Sequence, residues 1–384
     1  MINNNFLFIP KMFSTLVLII LFSFILYCLY RIFLKYKPRL IFNEEGSMAK
    51  ILTNMSSLKK PYKPLPWFFN RHIQTLYGLR LRGRSSYKPI REDVVFTDGG
   101  QVTIEYFVDE KILSDDSPIA FLIHTMGGGS RESCTNYMAT FLMKKKYRVI
   151  ICTCRGCNGS KITSRRLYNG YQPDDLKYII DYISKKYPKA KNKFLVGFSL
   201  GSMVACQYAV EFNDLDGIIC ISHTIRPYEG TQFLEKGWKR KLYYSVMINH
   251  LKHVALKSTF YTEEEKKEIK KTQLFKEFDD IVTAKNMGLN SAFEYYDRLL
   301  LEPKIVKIQI PCLFIFSEDD PFSKPEWIPV EKIKKSQNVA FIVTKEGGHV
   351  GFFQNWNTKI TYSEEVTLDF IETVTKIKNS ANKH

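Results

Sequence analysis

The chain has 384 residues, 45% of them hydrophobic, and a formal net charge of +17. That hydrophobic share excludes a disordered chain, and the length suits one large α/β domain. The excess Lys and Arg is scattered and no nucleic-acid motif accompanies it, which argues against nucleic acid as a partner and leaves an anionic membrane surface as the better use of the charge.

Residues 1–11 read as an N-terminal tail and 12–34 as a transmembrane anchor. Met12 to Tyr30 carries no charged residue and is dominated by Leu, Ile, Phe and Val, long enough to cross the hydrocarbon as a helix. No small-x-small cleavage site follows, so a retained single-pass anchor is expected rather than a cleaved signal peptide. Arg31, Lys35, Lys37 and Arg39 follow instead. They outweigh Lys11, which by the positive-inside rule places the following domain in the cytoplasm, and they offer a basic segment to hold the domain against anionic lipid. Residues 35–90 read as a lead-in, irregular over 40–90, where Pro61, Pro64 and Pro66 bracket it.

Residues 91–380 read as the main domain. Val94-Val95-Phe96 and Val102-Thr103-Ile104 flank Asp98-Gly99-Gly100 and predict a β-hairpin. Strand-like apolar runs recur at 119–123, 149–152, 194–196, 218–221, 312–316 and 339–343. Helical spacing lies between most of them, at 134–146, 175–185, 200–212 and 362–376. This alternation predicts a mostly parallel, doubly wound α/β sheet covered on both faces. Residues of about 224–300 hold helical patterns and no convincing strand, as an inserted cap would. One helix there opens with the capping-box pattern Thr262-x-x-Glu265, and the Glu/Lys run after it reads as a solvated face.

The eight cysteines form no regular framework, and several sit in strand-like runs where Cys is a small buried hydrophobe. They favour a reducing compartment. Cys152, Cys154 and Cys157 lack the second Cys/His pair that a four-ligand metal site needs.

The chemistry gathers around Ser199. Strand 194–196 runs directly into Gly197-Phe198-Ser199-Leu200-Gly201 and then into small and apolar residues, the strand–turn–helix context of a nucleophile elbow. A serine hydroxyl needs a base, a group that orients the base, and donors for the oxyanion. His349, in Gly347-Gly348-His349-Val350-Gly351 after strand 339–343, is the base candidate. His72 and His124 precede the nucleophile, His223 precedes any late acid, His250 and His253 fall in the cap, and His384 is terminal. Asp320, just beyond strand 312–316, is the preferred acid, with Asp319 and Glu318 as close rivals. The backbone N–H of Leu200 and one from the loop His124-Thr125-Met126-Gly127-Gly128-Gly129, with Met126 as first choice, are the oxyanion candidates. That loop matches neither phosphate-binding glycine pattern.

Several separated motifs resemble the membrane-anchored α/β-hydrolase-domain proteins of types 1 and 3 and the bacterial YheT-like esterases. Trp67 followed by Arg71-His72-Ile73-Gln74-Thr75-Leu76 is similar to the family's entry motif, with Arg71 in place of Gly. Arg155-Gly156, Asn158-Gly159 and Thr163 through Tyr168-Asn169 resemble its Arg-Gly segment, and Asp175-Leu176 the Asp-Leu that opens its next helix. Phe278-Asp279 through Gly288, Ser291 and Glu294-Tyr295-Tyr296 resembles its cap signature. Asp319-Asp320-Pro321-Phe322 and Gly347-Gly348-His349-Val350-Gly351-Phe352 resemble its acid and base motifs. The oxyanion loop departs from the family's usual Pro-Gly-Leu-Thr-Gly. The resemblance implies an α/β-hydrolase fold, a triad of Ser199, Asp320 and His349, and a single-pass membrane protein. Characterised relatives hydrolyse acyl esters, and a type 3 relative is a phospholipase acting on phosphatidylcholines with unusual acyl chains. The family is commonly drawn with its domain on the far side from the cytoplasm, opposite to the charge count.

The expected function is therefore acyl-ester hydrolysis at a membrane, with lipid as substrate and no metal or organic cofactor. Two alternatives use the same residues or none of them: acyl transfer to an alcohol or lysolipid, and a catalytically silent scaffold.

Overall fold

Nine strands form one sheet in the computed structural model, which describes residues 8–381 except 69, 110 and 355–358. They are β1 (Arg39–Ile41), β2 (Ile90–Val95), β3 (Gln101–Phe107), β4 (Ile119–Ile123), β5 (Arg148–Thr153), β6 (Lys193–Phe198), β7 (Gly217–Ile221), β8 (Cys312–Ser317) and β9 (Val339–Thr344). Their spatial order is β1-β9-β8-β7-β6-β4-β5-β3-β2. The strands from β5 to β9 in that order are parallel; β3 pairs antiparallel with β5, β2 with β3, and β1 with β9. All six predicted strand runs and the hairpin are present. Residues 1–7 of the expected tail, and His384, lie outside the described residues.

The central strands read as unbroken apolar runs because both faces are covered. Every residue of β4, β7, β8 and β9 is buried. Burying one such Ile, Leu or Phe side chain is worth about 1.5–3 kcal/mol. The helices outside the cap are α1 (Phe8–Ile32), α2 (Ser47–Asn54), α3 (Arg71–Leu76), α4 (Ser133–Lys144), α5 (Pro173–Lys186) and α6 (Leu200–Glu211). After five cap helices, α7 to α11 (Pro227–Leu234, Ser245–Lys257, Glu263–Lys271, Phe275–Phe278 and Ala292–Leu299), come α12 (Val330–Lys335) and α13 (Tyr362–Ala381). Met48 of α2, Met138 of α4 and Phe370 of α13 pack on one sheet face; Ile180 of α5, Val204 of α6 and Ile333 of α12 pack on the other. Helix α5 starts as its sequence dictates, with Pro173 at its first position, Asp174 and Asp175 in its first turn, and Lys185 and Lys186 in its last. Helix α6 is apolar around its whole circumference and is buried from Gly201 to Ala209.

The cap consists of helices joined by turns and has its own core of Leu234, Tyr243, Tyr244, Ile248, Phe275, Phe278 and Val282, which Phe322 from the main domain joins. The predicted capping box is present: the Thr262 hydroxyl accepts from the Glu265 amide at 3.2 Å, and the Glu265 carboxylate accepts from the Thr262 amide at 3.0 Å.

The helix that holds the expected anchor runs from Phe8 to Ile32. Two expectations change. The segment 40–90 is not irregular, because β1 enters it and it supplies α2, α3 and a π-helical turn at Tyr77–Leu81. Arg31 is not part of a free basic flank. Its guanidinium is buried and paired with Glu346 at 2.6 Å, since a desolvated cation needs an anion beside it, whereas Lys35, Lys37 and Arg39 are exposed.

Candidate active site

β6 ends at Phe198 and α6 begins at Leu200, so Ser199 forms the whole turn between strand and helix. Its backbone is strained, at φ 52° and ψ −115°. Strand and helix cross so closely that a Cβ on Gly197 would lie 2.5 Å from the Gly201 carbonyl oxygen, and a Cβ on Gly201 would lie 2.5 Å from that of His124. The Ser199 amide donates to Ile221 of β7 at 2.9 Å, which pins the turn to the neighbouring strand.

The structure brings Ser199, His349 and Asp320 together from three chain segments at the carboxyl ends of β6, β9 and β8. His349 Nε2 is 2.7 Å from Ser199 Oγ, and Nδ1 is 2.8 Å from Asp320 Oδ2. A carboxylate only accepts, so Nδ1 carries the proton and Nε2 faces the serine hydroxyl as acceptor. The other Asp320 oxygen accepts from the Phe322 amide at 2.7 Å. His349 is held by its backbone: its amide donates to Thr75 Oγ1, and the next amide, of Val350, to Ser222 Oγ, both at 2.9 Å. Phe322 lies over the imidazole with ring centroids 4.3 Å apart.

Asp319 has a different place. Its Oδ1 accepts from the Gly348 amide at 2.8 Å, and burial pushes its carboxyl up to about 6. Glu318 pairs with Lys345 at the surface. The remaining described histidines stand apart from Ser199 Oγ in their bonding. His124 accepts from the Cys154 amide at 3.0 Å, His223 meets Ser202, and His72 meets Tyr243. Burial lowers these three imidazoles to about 4, 3 and 4 respectively.

Two cavities meet at Ser199. The narrower, about 140 Å³, runs under the cap between Leu167, Leu200, Met203, Leu234, Leu251, Val254, Phe275 and Leu299. The wider, about 490 Å³, is bordered by Leu79, Arg80, Arg131, Asn158, Leu242 and His349. Met126 and Phe322 border both, and Leu200 the narrower. Leu200 is the first residue of α6, so its N–H has no intrahelical acceptor. Among the described residues no acceptor engages the Met126 amide.

The glycine-rich loop beside Met126 is shaped by a carboxyl group that sequence reasoning missed. Glu132 accepts from the Thr125 amide and from Thr135 Oγ1, each at 3.1 Å, and also bonds Thr125 Oγ1. Burial raises its pKa. A Cβ on Gly128 would lie 2.5 Å from that carboxylate. Behind it, fully buried Glu105 accepts from the Ser130 amide at 2.9 Å and from Thr153 Oγ1 at 2.6 Å. A lone Glu in the apolar run Val102-Thr103-Ile104-Glu105-Tyr106-Phe107 was the available signal, because a charge in a buried strand needs such partners.

The family model for the alpha/beta hydrolase fold matches residues 119–355, more than half of the chain. An abhydrolase domain-containing protein of Dictyostelium discoideum is 29% identical over 321 residues, covering 81% of each chain. Phospholipase ABHD3 of Homo sapiens is 25% identical over 352 residues, covering 88% of this chain and 84% of the relative. Among solved structures, the Pyrococcus furiosus esterase Pf2001 superposes with a TM-score of 0.52 at 16% identity, covering 75% of this chain and 91% of that one; at this identity the likeness concerns the fold. With its parallel sheet, elbow serine and inserted helical cap, the chain belongs to the α/β-hydrolase-fold family.

Proposed function

We propose that the chain is a membrane-anchored serine hydrolase that cleaves lipid acyl esters through an acyl-enzyme on Ser199. The observation that supports this most directly is the hydrogen-bonded series Ser199–His349–Asp320 at the junction of an apolar and a more polar cavity. Ser199 Oγ attacks the acyl carbonyl while His349 Nε2 takes its proton, and Asp320 steadies the resulting imidazolium. The Leu200 and Met126 amides receive the oxyanion. Collapse breaks the ester C–O bond as His349 returns the proton to the leaving alcohol. Water, deprotonated by the same imidazole, then hydrolyses the acyl-enzyme.

The narrow apolar cavity suits the acyl chain, and the wider one the alcohol side of the ester. The helix Phe13–Ile32, with mean hydropathy 2.4 and none of its apolar window buried in the protein, is long enough to cross a bilayer and would hold the site beside its lipid. The human relative named as a phospholipase agrees with a lipid ester.

Labelling with a fluorophosphonate serine probe tests the reading. Labelling of the wild-type protein that Ser199→Ala abolishes is expected, together with loss of ester hydrolysis. A folded Ser199→Ala protein that keeps full esterase activity overturns the mechanism. A folded wild-type protein that neither labels nor hydrolyses esters points to a silent scaffold.

A further inference from the structure

The loop that carries His349 is gripped from outside by the segment that leaves the apolar helix. Arg31, in the last turn of α1, forks onto Glu346 with Nη1 and Nη2 at 3.1 and 2.6 Å from the two carboxylate oxygens. The two side chains are only 4% and 15% exposed, so the pair is shielded from water. Tyr36 donates its hydroxyl to the same carboxylate at 3.3 Å. Glu346 lies three positions before His349 in the sequence.

On the other side of His349, Phe353 is held by the same N-terminal segment. Its carbonyl accepts from the Tyr62 hydroxyl at 3.0 Å and from the Leu65 amide at 3.2 Å. Tyr62 and Tyr36 in turn exchange both backbone hydrogen bonds, at 2.8 Å each. One end of the base loop is therefore fixed to Arg31 of α1 and to Tyr36 just after it, and the other to Tyr62 and Leu65, which Tyr36 joins through its backbone.

The loop needs such restraint. Gly348, Val350 and Phe352 all have positive φ, at 58°, 58° and 49°. Non-glycine residues there are strained and persist only where surrounding contacts impose them. Removing the outer grip would let the imidazole drift from the line between Ser199 and Asp320, and a displacement of about 1 Å at a catalytic group costs on the order of a hundredfold in rate.

We propose that Arg31 is a positioning residue for His349, so that the last turn of the membrane helix is part of the support of the catalytic base and not only a tether. This rests on the Ser199 reading above. Arg31 acts through Glu346 and the loop backbone and touches no substrate.

The test uses the full-length protein in detergent micelles with a soluble short-chain nitrophenyl ester. Thermal unfolding and Ser199 probe labelling accompany the kinetics. Arg31→Ala is expected to lower kcat roughly tenfold to a hundredfold with KM within about twofold of wild type, because the cavities are untouched. Arg31→Lys, which keeps the charge but not the fork, is expected to recover part of the rate. A folded Arg31→Ala protein with kcat within about twofold of wild type overturns the proposal, as does a loss that Arg31→Lys fails to recover in any part. If Arg31→Ala does not fold, Glu346→Gln decides: a fall in kcat at constant KM supports the coupling, and an unchanged kcat overturns it. A folded wild-type protein that neither labels nor hydrolyses removes the Ser199 reading and this one with it, whereas an active wild type with an indifferent Arg31→Ala removes this one alone.

Discussion

The imidazole of His250, on cap helix α8, occupies the space that a side chain on Gly127 would need: a Cβ there would lie 2.1 Å from His250 Nε2. Gly127 also has φ +73°, where an L residue is strained. The cap thus rests directly on the loop that carries the Met126 amide. Gly127→Ala is expected to displace either the loop or the cap and to lower kcat by about a hundredfold to a thousandfold, the range for a lost oxyanion donor. Steady-state kinetics on a short soluble ester checks this; an unchanged kcat would remove the Met126 loop from the oxyanion site.

The turn at Ser199 stores backbone strain that glycine relieves. Ser199→Gly is therefore expected to unfold at higher temperature than Ser199→Ala, with a difference on the order of 1 kcal/mol at its φ of 52°. Both variants lack the hydroxyl and both should be inactive, so calorimetry reads the strain separately from the chemistry. Equal melting temperatures would mean that the elbow is relaxed.

Asp319 and Asp320 are neighbours with opposite expectations. Asp320→Asn replaces the acceptor on His349 Nδ1 and is expected to lower kcat about ten-thousandfold through the wrong imidazole tautomer. Asp319→Asn keeps an oxygen for the Gly348 amide and is expected to cost about tenfold or less. A larger loss from the Asp319 change would exchange the two roles.

Asp279, among the residues lining the narrow cavity, gives a pH signature. Burial raises its carboxyl from 3.8 to about 6, although Thr283 and Tyr296 donate to it. A carboxyl raised in the folded state favours the protonated form, so its contribution is fully present below the unfolded value of 3.8 and is lost as pH rises through about 6. Asp279→Asn lacks that titration. Its stability relative to wild type is expected to rise by about 3 kcal/mol between about pH 3 and pH 7, read from denaturant unfolding at several pH values. A pH-independent difference would contradict the shift.

In the proposed function the acyl chain lies in the narrow cavity where the cap meets α6, so a side chain there tests it. Leu251→Trp puts a larger ring into the narrow cavity and is expected to shift the ratio of long-chain to short-chain kcat/KM by roughly tenfold to a hundredfold toward short chains. Competition between two esters in one assay measures it. An unaltered ratio would place the acyl chain in the wider cavity.

Much of this arrangement was legible in the sequence because its signals are local. The apolar run into Gly197, the two flanking glycines and the small residues after Ser199 report strand, tight turn and buried helix from a dozen adjacent positions. Chain order and the strands that end just before them single out Asp320 and His349 as candidates, and their side chains lie 2.8 Å apart. What escaped depends on partners far apart in sequence. Arg31 reads as a membrane-flanking charge until Glu346 is placed beside it, 315 positions away. Glu132 carries no sequence signal, because its partners Thr125 and Thr135 are brought to it only by the fold of the loop. β1 spans only three residues, too few for any periodicity, and takes its strand geometry from β9.

That short strand has a practical consequence. Arg39, Leu40 and Ile41 pair with Val343, Ile342 and Phe341 and cover the open side of β9. A protein cut at residue 60 to remove its apolar helix would lose this cover. The unpaired amides and carbonyls of Val339-Ala340-Phe341-Ile342-Val343 would then be an exposed template for aggregation, since the strand is apolar and carries no charge or proline to deter a second copy. Truncation at residue 38 keeps that edge covered and is the better route to a soluble preparation.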